Sequence, residues 1–145
     1  MHKDFNKDLP LGKKAEREAA KKLEARGFTN IEIIEGNFTP YDIKANFQNK
    51  LYTFEVKHDI MAPKTGNAAI EYVSRGKMSG IRATKADYWI HKIGSNFYII
   101  KTSMLRQKML VEKSFDRDTV GGDKGSGTKM YLVSTKTFIS WCKRL

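Results

Sequence analysis

The chain has one cysteine, Cys142, in 145 residues. That excludes an internal disulfide and a cysteine-rich zinc site, and it suits a reducing cytosol. Long apolar runs are missing too. None approaches the roughly 18 residues of a membrane-spanning helix, and no N-terminal stretch reads as a secretion signal. A cytoplasmic protein with no membrane role is expected. Repeats and linker-like stretches are absent, which leaves one domain over residues 1–145. Acidic residues are scarce beside basic ones: 16 Asp and Glu against 27 Lys and Arg, a net charge of +11 and a pI of about 9.7. Such a field favours a polyanionic partner, nucleic acid ahead of an anionic membrane surface. The remaining composition, 40% hydrophobic and 30% charged, is ordinary for a soluble globular domain able to bury a core without staples.

Residues 1–10 read as a polar, loosely held tail. Residues 11–26 are rich in Ala, Glu, Lys and Arg and predict a helix, with Gly27 at the C-terminal cap position. Strands are expected at 31–35, 41–47, 51–57, 67–73, 87–93, 96–101 and 129–134. A basic, glycine-containing loop, 74–80, leads into a short helix, and two further helices are expected at 102–112 and 135–144. Residues 113–128 read as a mobile polar loop carrying four glycines from Gly121 to Gly127. That loop lacks the G-x-x-x-x-G-K-[ST] pattern, so it is not a nucleotide-binding P-loop. Helices flanking mostly hairpin-linked strands give an α/β or α+β architecture.

The informative stretch is 41–57. Its two strands alternate: Tyr41, Ile43, Ala45 and Phe47 are apolar on the first, Tyr52, Phe54 and Val56 on the second. For both apolar sets to share a face, the loop must hold an even number of residues, or a bulge must make up the difference. Two residues suffice, either Gln48-Asn49 or Asn49-Lys50. The same register gathers Asp42 with Glu55 and Lys57 on the other face, Asp42 opposite one or other of them. Paired carboxylates repel unless a cation separates them, and carboxylate oxygens are the ligands that Mg²⁺ prefers. A lysine beside such an ion can orient or deprotonate a water or steady charge on a phosphate. That set is sufficient for phosphodiester hydrolysis; the competing reading is a polar sheet face with an Asp–Lys ion pair.

Helical phase points the same way. Ala15, Ala19, Ala20 and Leu23 form the buried stripe of the first helix, and Glu16 projects near its middle while Glu18 points away. A glutamate on a dry face needs a partner. That partner is the acidic cluster, or else a Lys or Arg at the edge of the core.

Asp42, then Glu55-Val56-Lys57 on the next strand, after a helix bearing Glu16, resembles the PD-(D/E)XK nuclease superfamily. The element order is also similar to that of archaeal Holliday junction resolvases and related phage nucleases, over roughly residues 11–100. The resemblance implies a restriction-endonuclease-like core, a central mixed sheet of about five strands flanked by helices. It implies a Mg²⁺-dependent endodeoxyribonuclease, with Mn²⁺ as a substitute, that works as a homodimer or higher oligomer on duplex or branched DNA. A phage enzyme would act in the host cytoplasm. Asp42, Glu55 and the Val56 carbonyl would bind metal, Lys57 would act on the water or the phosphate, and Glu16 would be the helix glutamate. One departure is that Tyr41 separates Pro40 from Asp42, so there is no adjacent Pro-Asp.

Arg75, Lys77, Ser79, Arg82 and Lys85, in and after the basic loop, suit phosphate contacts. Glu71 is a candidate extra acidic group. His58 points away from Lys57 if the strand continues, which removes His58-Asp59 from the site. Tyr88 and Trp89 read as core. The leading expectation is a junction-resolving endonuclease; the alternatives are a site-specific restriction or homing endonuclease, a non-catalytic nucleic-acid binder and an RNA-binding protein of translation.

Overall fold

A computed structural model describes residues 2–36, 39–111, 118–121 and 127–145. The hairpin at its centre joins β2 (Ile43–Phe47) to β3 (Lys50–His58), with Phe47 paired to Lys50. The loop is therefore Gln48-Asn49, the first of the two options. Both residues are left-handed, with φ of 49° and 66°, the twist that a two-residue hairpin turn requires. The register buries Ile43, Ala45, Phe54 and Val56 together.

Against that face lies α1 (His2–Ala25), whose Ala15, Ala19 and Leu23 are fully buried. These residues join Ile90 and Phe97 in a first core. The small alanines let the helix backbone approach the sheet. The helix begins at His2, where a loose tail through residue 10 was expected. Pro10 lies inside that helix, where it has no backbone N–H to donate.

The first sheet has six strands in the order β1-β2-β3-β6-β7-β10, one more than the sequence predicts. β1 (Thr29–Ile33) and β10 (Lys143–Arg144) are its edges, and β7 (Asn96–Lys101) lies inside β10. β3 and β6 (Tyr88–Ile93) run parallel, with Glu55 beside Trp89 and Lys57 beside His91. A parallel pair needs a long crossover, and two strands carried by this one join two that follow β7 in a second sheet that the sequence reading did not foresee. Its order is β5-β4-β9-β8, from β4 (Asn67–Ser74), β5 (Lys77–Met78), β8 (Asp118–Gly121) and β9 (Thr128–Ser134). Four short helices complete the chain: α2 (Ala62–Thr65), α3 (Gly80–Ala83), α4 (Thr102–Val111) and α5 (Thr135–Trp141).

Two expectations change here. Part of the 74–80 loop is a hairpin, with Arg75 and Gly76 at its left-handed tip. Within 113–128, Asp118–Gly121 form a strand paired with β9, and 113–117 and 122–126 lie outside the described residues. A second core, with Ile70, Ile81, Trp89, Leu105, Val133 and Phe138, fills the far side of β6. No helix among the described residues is long and apolar enough to cross a membrane.

Candidate active site

The β2–β3 ladder ends at Ile43–Phe54, and one more step of that register sets Asp42 beside Glu55. The ladder does not continue there. Asp42 Oδ2 accepts the Val56 N–H at 2.8 Å, so the aspartate side chain replaces a main-chain partner. Glu55 and Lys57, two residues apart, share the face turned away from α1. Glu55 Oε2 lies 3.3 Å from Lys57 Nζ, and Glu55 Oε1 accepts the Thr84 hydroxyl at 2.8 Å. Lys57 Nζ also stands 5.8 Å over the Trp89 ring. The Glu55 side chain is 12% exposed and that of Lys57 37%. Thr84 follows α3, and the next residue donates its N–H to the Pro40 carbonyl at 2.9 Å, which stitches the segment before Asp42 to the one that holds Glu55.

Burial raises the Glu55 carboxyl above its ordinary pKa; the Lys57 charge pulls it back, and Asp42 pushes it up again. Burial alone would lower the Lys57 ammonium. The charges of Glu55, Asp42 and Glu71 together outweigh that and hold it above the ordinary lysine value. Lys57 is therefore a firm cation in the free protein.

Glu16 is only 13% exposed on its side chain, as its helical phase predicts, and sits 3.4 Å from Lys13 Nζ. Burial, then the charge of Asp42, raises its carboxyl. The Lys13 charge pulls it back down, and Glu35 adds a smaller upward push. Glu18, expected to point away, binds Lys92 Nζ at 2.7 Å.

No group of three or more His, Cys, Asp or Glu side chains able to hold a metal occurs among the described residues. Asp42 and Glu55 remain as a pair of hard oxygen donors. Among the described residues the Asp42 side chain uses only Oδ2 in a hydrogen bond, and Glu55 is costly to ionise where it stands. Two such carboxylates fit a Mg²⁺ ion that keeps most of its waters.

The five basic-loop residues part company. Arg75, Lys77 and Lys85 are exposed, and Lys77 pairs with Ser74 on the β4–β5 hairpin. Ser79 departs from the expectation: its Oγ is buried with no hydrogen-bond partner among the described residues, so it does not face an approaching phosphate. Arg82 is already engaged, 4.3 Å over the Tyr72 ring and bonded to the Tyr131 hydroxyl at 2.8 Å.

Between the two sheets opens a cleft of about 450 Å³, lined by Lys57 and Trp89 on one wall and Ala69, Glu71, Met130 and Leu132 on the other. Asp59 also lines it. Its carboxylate accepts the Ala69 N–H at 2.8 Å, the Ala62 N–H at 3.2 Å and His91 Nε2 at 2.8 Å. The Trp89 indole donates to His91 Nδ1 at 3.0 Å, which makes Nε2 the protonated nitrogen. His58-Asp59 stays outside the carboxylate site, and Asp59 has a structural task.

No protein-family model matches the chain, and no curated protein sequence matches it. Among solved structures it resembles a bacterial homing endonuclease, I-Ssp6803I, with a TM-score of 0.56 at 18% identity, over 86% of this chain and 76% of that one. The two share a fold. The sequence reading missed Thr84, which positions Glu55 from 29 residues away and carries no local signature.

Proposed function

We propose that the chain is a metal-dependent DNA endonuclease of the PD-(D/E)XK type that cuts a specific duplex site. The observation that carries this reading is the convergence of Asp42, Glu55 and Lys57 at one strand end. The fold shared with a homing endonuclease favours a site-specific duplex substrate over a branched one.

Asp42, Glu55 and the main-chain carbonyl of Val56 would hold Mg²⁺, or Mn²⁺ in its place. When bound, the ion supplies a Lewis acid and a water of lowered pKa. The chain's own residues do the rest. Thr84 fixes one oxygen of Glu55, and the Val56 N–H fixes one oxygen of Asp42, so both carboxylates are oriented before substrate arrives. Lys57, held charged, stabilises the negative charge that grows on the phosphate oxygens and is a poor base for the water. Arg75, Lys77 and Lys85 contact backbone phosphates and set register. Two copies of the chain supply one site for each strand.

A pooled library of random duplexes and a four-way junction, incubated with Mg²⁺ or Mn²⁺, tests this. Selected duplexes are cut at one sequence by the wild type and not by Lys57→Ala, which still binds them. No cleavage of any substrate with either ion removes the nuclease reading. A cut junction beside an untouched library overturns the site-specific half and favours a resolvase.

A further inference from the structure

α3 is a single turn of four residues, too short to hold itself. Its cap residue, Ser79, makes no side-chain hydrogen bond to it, and its first turn carries no acidic residue. At its start the helix seats on β4: Gly80 has φ +49°, and a Cβ added there would lie 2.1 Å from the Glu71 carbonyl oxygen. At its end, the last carbonyls of a helix find no partner within it. Arg106 supplies one from α4. Its Nε donates to the Ile81 carbonyl at 2.7 Å, and its Nη2 donates to the Thr84 carbonyl. The planar guanidinium thus spans the end of α3 as a fork, a geometry that a lysine cannot copy.

Arg106 is itself well anchored. Its neighbour Leu105 and, one turn on, Met109 are buried in the second core. A cation committed to two main-chain oxygens is drawn away from phosphate, in a chain whose net charge of +11 favours a polyanion.

The residue that Arg106 grips is the one that meets Glu55. The Thr84 hydroxyl donates to Glu55 Oε1 at 2.8 Å and accepts the Ala86 N–H at 3.2 Å, and Thr84 is buried. These two bonds fix its side chain, while Arg106 fixes its main chain. Two successive hydrogen bonds therefore join α4 to a carboxylate of the site.

We propose that Arg106 is a positioning residue for Glu55: it clamps the end of α3 so that the Thr84 hydroxyl keeps the carboxylate oriented for metal. Its effect on metal binding and turnover rests on the endonuclease reading; the clamp itself does not.

Titration of the DNA-free protein with Mn²⁺, followed by calorimetry, tests it. Arg106→Ala, shown by circular dichroism to be folded at the assay temperature, binds Mn²⁺ about ten- to a hundredfold more weakly. The Mg²⁺ concentration for half-maximal cleavage rises by a like factor, excess metal restores kcat, and KM for DNA is unchanged. Lost stability alone gives no such rescue in a folded protein. Thr84→Val shows the same weakening, and adding Arg106→Ala to it weakens Mn²⁺ binding no further. Arg106→Lys keeps the charge and loses the fork; it shifts Mn²⁺ binding the same way and stands in where Arg106→Ala does not fold. An unchanged Mn²⁺ Kd in the folded Arg106 variant overturns the proposal, as do additive losses in the Thr84→Val background. If the wild type neither binds Mn²⁺ nor cuts, the nuclease reading fails, and urea unfolding decides the clamp alone. The Arg106 variant and Glu55→Ala then combine non-additively if the clamp reaches the carboxylate, and additive effects overturn it.

Discussion

Gly80→Ala is the sharpest probe of how the site is assembled. The added methyl meets two obstacles. At φ +49° an alanine is in the left-handed region, and its Cβ falls 2.1 Å from a main-chain oxygen, Glu71 O, which has no side-chain freedom to yield. The first obstacle costs about 1–2 kcal/mol and the second about 1–3 kcal/mol as backbone shift. Their sum, about 2–5 kcal/mol, lowers Tm by roughly 5–20 °C in a domain of this size. Gly76→Ala is the control. Its φ is +74° and nothing lies within 4 Å of an added Cβ, so it pays only for the left-handed backbone. Thermal unfolding followed by circular dichroism gives both values. Gly80→Ala unfolds well below Gly76→Ala. Equal losses in the two variants would refute the close seating of α3 on β4. In the less destabilised part of the range, Gly80→Ala also loses cleavage at temperatures where it remains folded, because α3 shifts Thr84 away from Glu55.

Four further outcomes are expected. Burial and Asp42 raise the carboxyls of Glu55 and Glu16, so the unfolded chain releases those protons first as pH rises, and stability falls through that window. Asp42→Asn keeps an oxygen for the Val56 N–H and removes the charge that helps raise both carboxyls, so its fall in stability with rising pH is shallower than that of wild type, which scanning fluorimetry across pH reads. Asp59→Ala strands the N–H groups of Ala62, Ala69 and His91 and costs about 3–5 kcal/mol in urea unfolding; a loss below 1 kcal/mol would show that the network holds nothing. Arg82→Ala loses about 1–2 kcal/mol of stability through its ring contact and hydroxyl bond, with DNA affinity little changed. Lys77→Ala does the reverse, lowering the salt slope of DNA binding by about one with Tm held.

Period-two alternation and loop parity carried the hairpin from sequence to structure. They bring Asp42, Glu55 and Lys57 to one face in either register that buries Ile43, Ala45, Phe54 and Val56, and the Gln48-Asn49 turn decides between the two. Helical phase likewise turned Glu16 inward. It did not reveal that Glu16 pairs with Lys13 three residues before it, because phase gives a direction and not a partner. The second sheet was invisible as a sheet. β4 pairs with β9, and the partners Asn67 and Ser134 are joined by no turn that a short window could detect. Thr84, Glu71 and Gly80 fall in the same class: each matters through a contact made only after the two sheets meet. Pro40 kept a place in the site despite its separation from Asp42, since its carbonyl receives the Lys85 N–H.

The network at Asp59 has a mechanical consequence. One buried carboxylate bonds to the second sheet at Ala69 and to the first at His91, so the angle between the two walls is pinned by groups with no slack. Widening the cleft would unbond a carboxylate that is 9% exposed. The aperture is a gauge and not a jaw. Its width is set by the fold before any ligand arrives.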